Sequence, residues 1–290
     1  MKKKVVSIVL VFALAFSLAA FSGCGSSDQV TLHVYNWGVN IADGTDDYID
    51  VIELFEEAYP DIDVVYDTYE TNEALYTRLS GGGVSYDVII PSDYMIARMI
   101  REDMLLPLDF ENIPNYELVD DTFKNQAYDP DNMYSVPYTW GTVGIIYNTK
   151  YVDEADIGGW DLLWNEKYAD RIVMIDNSRD AFAIAEAMLG YSLNTEDPDE
   201  LQAAAELLAE QTAVVQSYSM DDMYNVMENE EAWIAPYYAG DAMLMMDENP
   251  DLAFYLPEDQ TFNVFIDAMC IPSCAEHKEE AELFINFLTS

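Results

Sequence analysis

The chain has 290 residues, 51% of them hydrophobic, and is therefore long and apolar enough to bury the core of one large or two ordinary globular domains. Its 55 acidic residues against 12 Lys and Arg give a formal charge of −43, which repels nucleic acid and anionic lipid and favours cationic partners. The composition thus excludes nucleic-acid binding and a disordered chain, while the charge alone is only weak support for a cationic ligand.

The first segment is predicted to be an export signal. Three lysines precede the apolar run "VVSIVLVFALAFSLAAF", and small residues lead into Cys24. Cys24 resembles the lipidated cysteine of bacterial lipoproteins, so residues 1–23 are expected to be a lipoprotein signal peptide and residues 24–29 a tether. Ordinary secretion with a free Cys24 is one alternative. A membrane-spanning helix is a second, disfavoured by the flexible "GCGSSDQ" that follows directly.

Strands and helices are predicted to alternate along the first part of the chain. Strands are predicted over "VTLHVYNW", "IDVVYDTY" and "YDVIIPS", and helices over "YIDVIELFEEAYP", "NEALYTRLSGGG" and "SDYMIARMIRE". Ile49, Ile52 and Phe55 recur at helical spacing in the first helix, and Asn72 is the expected N-cap of the second. This alternation predicts an α/β fold with a parallel sheet.

A second α/β unit is predicted after "YSVPYTWGTVGIIYN" (134–148). It contains the strand "RIVMIDN", the helices "DAFAIAEAMLG" and "PDELQAAAELLAEQ", and the segment "AWIAPYYAGDAMLMM". "FNVFIDAMCIP" predicts another strand, and "EEAELFINFLTS" predicts a last helix. Without internal repeats or a long linker, the chain is predicted to form two lobes joined by short crossings.

Motifs for catalysis or metal binding are poorly represented. His33 and His277 are the only histidines, neither is placed as the base of a nucleophile, and no G-x-S-x-G occurs. "SGGGVS" lacks the Lys-Ser/Thr of a phosphate loop, and "DPDNMYS" lacks the glycine of a calcium loop. Cys270 and Cys274 could be bonded only through a turn, so free thiols are expected. The sequence predicts no enzyme activity, cofactor or metal.

Aromatic rings and acids occur at the predicted strand ends, where ligands bind to doubly wound sheets. Ring faces attract an ammonium group, and carboxylates accept its charge-assisted hydrogen bonds. The ring candidates are Trp37, Tyr94, Tyr238 and Phe265, and the acid candidates are Asp180, Asp241 and Asp267. Taken singly, each is more simply explained as a core residue or a helix cap, so composition does not select among them.

From Val30 to Ser290 the chain resembles the spermidine/putrescine-binding proteins of bacterial ABC importers. The blocks that carry the resemblance are "YNW" (35–37), "TYETNEALYTRL" (68–79), "YDVIIPSDY" (86–94), "YSVPYTWGT" (134–142), "WDLLWNEKYADRIVMIDNSRDAF" (160–182), "YAGDA" (238–242) and "FIDAMCIP" (265–272). The resemblance implies an α/β, two-lobed, type II periplasmic-binding-protein-like fold, in which each lobe is a mainly parallel sheet flanked by helices. The expected lobes are residues 30–142 with 267–290, and residues 143–266. They would close at a hinge over a polyamine.

The resemblance also implies a monomeric, non-enzymatic protein that binds putrescine or spermidine and delivers it to ABC permease subunits. It would act in the periplasm or on the outer face of the cell membrane, anchored by lipid at Cys24. The implied ligand-binding residues are the rings Trp37, Tyr238 and Phe265, the hydrogen-bonding Ser92 and Tyr94, the amine-binding carboxylates Asp180 and Asp267, and Asp241, which matches an acid of the putrescine-preferring branch.

Three departures from the family pattern affect this expectation. Asn40 stands where the family usually has tyrosine, and Asn177 stands where the spermidine-binding branch has aspartate. The second departure removes a charge and favours a shorter diamine. Relatives are also expected to continue past the last helix, so the family C-terminal segment is expected to be missing here.

Three other functions stay open at this level. Adjacent Tyr237 and Tyr238 are similar to the paired phenolates of ferric-ion-binding proteins with a related fold. An acidic extracellular glycosidase could use two of the many carboxylates. A sensor that reports polyamine levels to a receptor would use the same cleft as a transport protein.

Overall fold

The computed structural model describes residues 29–38, 40–42, 44, 48–257 and 259–290. The predicted signal peptide, the lipidation site Cys24 and nearly all of the predicted tether lie outside the described residues.

The described residues form nine strands and eight α-helices. The strands are β1 Val30–Trp37, β2 Ile62–Tyr69, β3 Val88–Ile89, β4 Ser135–Asn148, β5 Ile172–Ile175, β6 Val215–Ser219, β7 Ile234–Tyr238, β8 Leu252–Tyr255 and β9 Val264–Cys270. The helices are α1 Val51–Ala58, α2 Asn72–Ser80, α3 Asp93–Arg101, α4 Ser178–Leu189, α5 Pro198–Gln211, α6 Met223–Glu228, α7 Ala239–Glu248 and α8 Lys278–Leu288. The predicted alternation of strands and helices is confirmed.

The observed N-termini of α1 and α2 differ from the prediction in two details. Asp50 caps α1, so Ile49 precedes the helix and is 63% exposed, whereas Phe55 is fully buried. Asn72 is not the cap of α2, because Thr71 is extended there and its hydroxyl accepts a hydrogen bond from Ala74 N at 3.1 Å. Asn72 instead begins the helix as a buried residue whose amide is available for contacts in the core.

The strands form one curled sheet in the order β2-β1-β3-β9-β4-β7-β5-β6, with β8 beside β4. At one end β1 runs parallel to β2 and β3, and at the other end β5 runs parallel to β6 and β7. The long strands β4 and β9 pair antiparallel to each other and to their other neighbours. The sheet is therefore mixed, with its parallel parts at the two ends and the antiparallel pairs between them.

The hydrophobic core is divided between two lobes. One buried cluster is built entirely from residues between 143 and 252, in the second lobe, which contains β5, β6 and β7. Two others are built from residues between 32 and 113, Val136, and residues between 268 and 285, and they form the first lobe around β1. Leu32 and Val34 belong to one of these and Tyr35 to the other, because successive side chains of a strand point to opposite faces. The two-lobed α/β prediction is confirmed.

The thiols of Cys270 and Cys274 are free, as predicted. Within the described residues, no group of three or more His, Cys, Asp and Glu side chains could hold a metal ion. None of the helices in the described part of the chain combines the length and the apolar character needed to cross a membrane.

Candidate ligand-binding site

A cleft of about 390 Å³ lies between the lobes. All eight residues predicted to bind ligand line it, together with Asn40 and Asn177. They are contributed by the end of β1, the start of α3, the start of α4, the junction of β7 with α7, and β9. These segments meet because the carboxyl ends of parallel strands lie at one edge of a sheet, where ligands bind in α/β folds.

Trp37 ends β1 and forms one wall of the cleft. Its indole is partly buried and packs on the ring of Tyr69, with centroids 4.8 Å apart and planes tilted by 49°. The indole Nε1 is buried and has no hydrogen-bond partner among the described residues. The side chain packs against a buried cluster of the first lobe on one side and lines the cleft on the other.

Tyr238 and Phe265 form a second aromatic wall. Their ring centroids are 5.2 Å apart and their planes are inclined at 71°, an edge-to-face pair. The ring of Phe265 lies over Gly141 of β4, where a Cβ atom would come within 2.7 Å of Cζ. Glycine at this position lets the end of the ring come close to the neighbouring strand.

Asp267 lies in β9 at the base of the cleft and is 6% exposed. Asn72 Nδ2 donates to Ser92 Oγ at 3.0 Å, and Ser92 Oγ donates to Asp267 Oδ1 at 2.6 Å. No described donor reaches Oδ2. Burial, together with the charges of neighbouring acids, raises the pKa of Asp267 to about 7. Oδ2 is thus an acceptor without a donor from the described residues, at the surface of the cleft, where a cation can satisfy it.

Asp180 is 4% exposed and bound on both oxygens. Oδ1 accepts from Asn263 Nδ2 at 2.8 Å, and Oδ2 accepts from the Tyr238 hydroxyl at 2.9 Å. The same hydroxyl accepts from Nδ2 of Asn177, which also caps α4. Burial raises the pKa of Asp180, and the two hydrogen bonds offset only part of that effect. Asn177 therefore still supports the site, although its amide cannot supply the charge of an aspartate.

Asp241 sits in the first turn of α7 and is held by a tyrosine that sequence reasoning missed. The hydroxyl of Tyr224 donates to Asp241 Oδ1 at 2.5 Å. Burial raises the pKa of Asp241, and this hydrogen bond opposes the effect. The aspartate is consequently fixed in direction toward the cleft it lines.

Tyr94 lies on the first lobe and meets the second lobe across the cleft. Its hydroxyl donates to Glu73 Oε1 at 3.0 Å. The guanidinium carbon of Arg179 lies 5.9 Å from the Tyr94 ring centre, within the range of a cation–π contact. Arg179 Nη2 donates to Asn194 Oδ1 at 2.7 Å, so the guanidinium is turned partly away from the cleft.

The structure adds residues that the sequence did not select. Those lining the cleft include Asp93, Trp140, Asp221, Tyr224 and Asn263. Asp93 and Asp221 follow strands at the same sheet edge, so the rule that placed Trp37 there could have found them. Trp140 lies in the middle of β4, where no local pattern marks it. With Asp180, Asp241 and Asp267, these acids place five carboxylates in the lining, against the guanidinium of Arg179. The arrangement is complementary to a cation.

The geometry gives no support to the ferric alternative. The Tyr237 and Tyr238 rings are adjacent, but the Tyr237 hydroxyl donates to the carbonyl of Met220 at 3.1 Å while that of Tyr238 donates to Asp180. Burial raises the pKa of both tyrosines, which disfavours the phenolates that would bind iron. Their hydroxyls do not converge on one point.

Residues 50–290 match the family model described as "Bacterial extracellular solute-binding protein". The chain is 32% identical over 289 residues to the spermidine/putrescine-binding periplasmic protein of Salmonella typhimurium, covering 99% of this chain and 80% of that protein.

Two solved structures share the fold. The spermidine/putrescine ABC transporter substrate-binding protein PotD from Streptococcus pneumoniae is 36% identical, with a TM-score of 0.71 over 90% of this chain and 78% of that one. The TpPotD lipoprotein of Treponema pallidum is 30% identical, with a TM-score of 0.79 over 90% of this chain and 80% of that one.

Proposed function

Because the chain belongs to the family of bacterial extracellular solute-binding proteins, we propose that its solute is a polyamine, putrescine or spermidine, captured in the cleft between the lobes. As a member of that family, the chain is a solute-binding protein and not an enzyme, and the glycosidase alternative falls with that assignment. Its relatives named above bind spermidine and putrescine, which supports the choice of ligand.

The observation that carries the proposal is the buried carboxylate of Asp267, which has one oxygen without a described donor in a cleft lined by four more aspartates. A buried carboxylate without a full set of hydrogen bonds is unfavourable. An ammonium group at Oδ2 would supply the missing donor and cancel the charge, so the unliganded site is prepared for a cation.

The aromatic walls explain why that cation would carry a methylene chain. Trp37 on one side, with Tyr238 and Phe265 on the other, gives apolar surfaces that can pack against CH₂ groups while the ring faces attract the amines. Ser92 fixes Asp267, and Tyr238 fixes Asp180. In this arrangement a diamine gains a carboxylate at each end, whereas a monoamine gains only one.

We also propose that the cleft opens and closes where β4 and β9 pass between the lobes, with residues 30–142 and 267–290 moving as one lobe and residues 143–266 as the other. The division of the buried clusters near Val143 and Asp267 supports this boundary. Two antiparallel strands form the sheet connection between the lobes, and such a connection can bend without breaking either core.

The proposed setting is extracytoplasmic. Cleavage before Cys24 and lipidation of that cysteine would hold a monomer in the periplasm or at the outer face of the cell membrane, beside the permease that receives the ligand. The sequence motif at Cys24 and the lipoprotein among the solved relatives support this part of the proposal.

Calorimetry with putrescine, cadaverine, spermidine and spermine tests the ligand, with butylamine as the monoamine control. Tight binding of at least one polyamine is expected, and butylamine should bind far more weakly. Asp267→Ala should weaken polyamine binding by about 2–5 kcal/mol, because an ammonium group would stay buried without its partner. Asp63→Ala, at an exposed position of β2, is the matched control. If the wild type binds none of the four polyamines, the proposal is wrong.

A further inference from the structure

Asp221 reaches across the cleft from the turn between β6 and α6 in the second lobe. Its Oδ2 lies 2.6 Å from the place where a Cβ atom on Gly38 would stand. Gly38 belongs to the turn that follows β1 in the first lobe. The absence of a side chain at residue 38 is therefore what allows this carboxylate to approach the opposite lobe.

The Asp221 carboxylate is not neutralised by the protein. No hydrogen bond or ion pair from the part of the chain that the structure describes reaches it, and the side chain is exposed at the rim. The neighbouring residue Asp222 has different surroundings. Its Oδ1 accepts a hydrogen bond from Asn225 Nδ2 at 3.0 Å, and the residue does not line the cleft. A substitution of Asp222 is therefore a suitable control for the same substitution of Asp221.

The acids that line the cleft differ in depth: Asp180 and Asp267 are 4% and 6% exposed, Asp241 is partly buried, and Asp221 is exposed. Burial is the main cause of the raised pKa, and in three of these acids a neighbouring carboxylate contributes to it. Asp241 contributes to the raised pKa of Asp267, Asp221 to that of Asp241, and Glu70 to that of Asp221. Carboxylates spread from the buried part of a cleft to its exposed rim match a linear ligand that carries several separated positive charges.

We propose that Asp221 is a specificity-determining residue that makes the cleft favour a triamine over a diamine. This inference rests on the proposed polyamine function. A diamine placed from the base of the cleft pairs with the inner carboxylates and leaves Asp221 without a cation, whereas a third amine extends to the rim and pairs with it. The preference for a shorter diamine expected from the buried Asn177 is then reversed by a residue at the exposed rim of the cleft.

The test is calorimetry with putrescine and spermidine on the wild type, Asp221→Asn and Asp222→Asn, at physiological salt. Asp221→Asn should lower spermidine affinity about fivefold more than putrescine affinity, which corresponds to about 1 kcal/mol. Asp222→Asn should change both affinities by the same small factor. Gly38→Ala should reproduce the selective loss, because its Cβ displaces the Asp221 carboxylate.

Equal losses for both ligands in Asp221→Asn, or no loss for either, would overturn the inference, because the residue would then act only through the general negative field or not at all. Polyamine binding by the wild type in the same experiment would leave the proposed function standing in that case. A wild type that binds neither ligand would overturn both. Unfolding curves of each variant establish that a lost affinity does not come from a lost fold.

Discussion

Replacing Asp267 with asparagine should stabilise the ligand-free protein while removing its tight binding of polyamines. The pKa of this carboxyl is about 7 in the folded protein, against an ordinary value of 3.8. At pH 8 the buried group is ionised, and the difference between the two pKa values corresponds to about 4 kcal/mol of lost stability. Asparagine keeps an oxygen that accepts from Ser92 and removes the charge, so the variant should recover much of that energy.

The sign of the pH dependence follows from the raised pKa. The folded protein binds this proton more tightly than the unfolded chain, so the wild type loses stability as the pH rises from about 4 to about 7 and then stays level. The gain from Asp267→Asn should therefore be largest at pH 8, at most about 4 kcal/mol, and should shrink to at most about 2 kcal/mol at pH 5.

Urea unfolding followed by circular dichroism at pH 5 and pH 8 measures these values, and calorimetry on the same samples measures binding. Asp63→Asn removes an equal charge from an exposed position and should change stability by only a few tenths of a kcal/mol. A variant less stable than the wild type at pH 8, or equally stabilised at both pH values, would refute the reasoning. Undiminished polyamine binding would refute the role of Asp267 as the acceptor of an amine.

Three further predictions follow from individual contacts. Polyamine affinity should fall about tenfold from pH 8 to pH 6 in calorimetry, because the cation needs ionised Asp267, and a flat profile would contradict this. Glu186→Met should raise the free energy of unfolding by about 1 kcal/mol at pH 7, because the buried Glu186 Oε2 has no described partner; a less stable variant would contradict this. Gly144→Ala should destabilise the second lobe by about 1–3 kcal/mol, since its Cβ would lie 2.7 Å from the Tyr255 carbonyl oxygen, and unchanged urea unfolding would show that the strands can separate there.

Much of the secondary structure could be predicted because it depends on neighbours along the chain. Helical spacing of apolar residues and short runs of β-branched and aromatic residues gave the order of the elements. The errors occurred at an end of an element: Asn72 resembles a cap by residue type, but the extended backbone of Thr71 decides which residue caps α2. Helix ends depend on one or two torsion angles that residue type influences only weakly.

The sheet connection between the lobes was not predictable in the same way. The local pattern of "YSVPYTWGTVGIIYN" predicts the end of one unit, whereas Ser135–Asn148 is one 14-residue strand shared by both lobes. Only the lobe boundary implied by the resemblance, between residues 142 and 143, falls inside this strand. Its first part pairs with β9 and its last part with β7 and β8. Which strands become neighbours depends on how whole lobes pack, and a local pattern contains no information on that.

The sequence by itself determined the α/β alternation and the acidic charge, and its resemblance to a known family supplied the eight residues that the structure gathers in one cleft. The tertiary structure alone decided which of those carboxylates are buried, which keep an oxygen without a donor from the described residues, and that Tyr224 holds Asp241. The physical reason is distance along the chain: Ser92 binds Asp267 across 175 positions, and Asp221 meets Gly38 from the other lobe. The pKa of a carboxyl depends on burial and on the charges around it, both of which exist only after the lobes have packed.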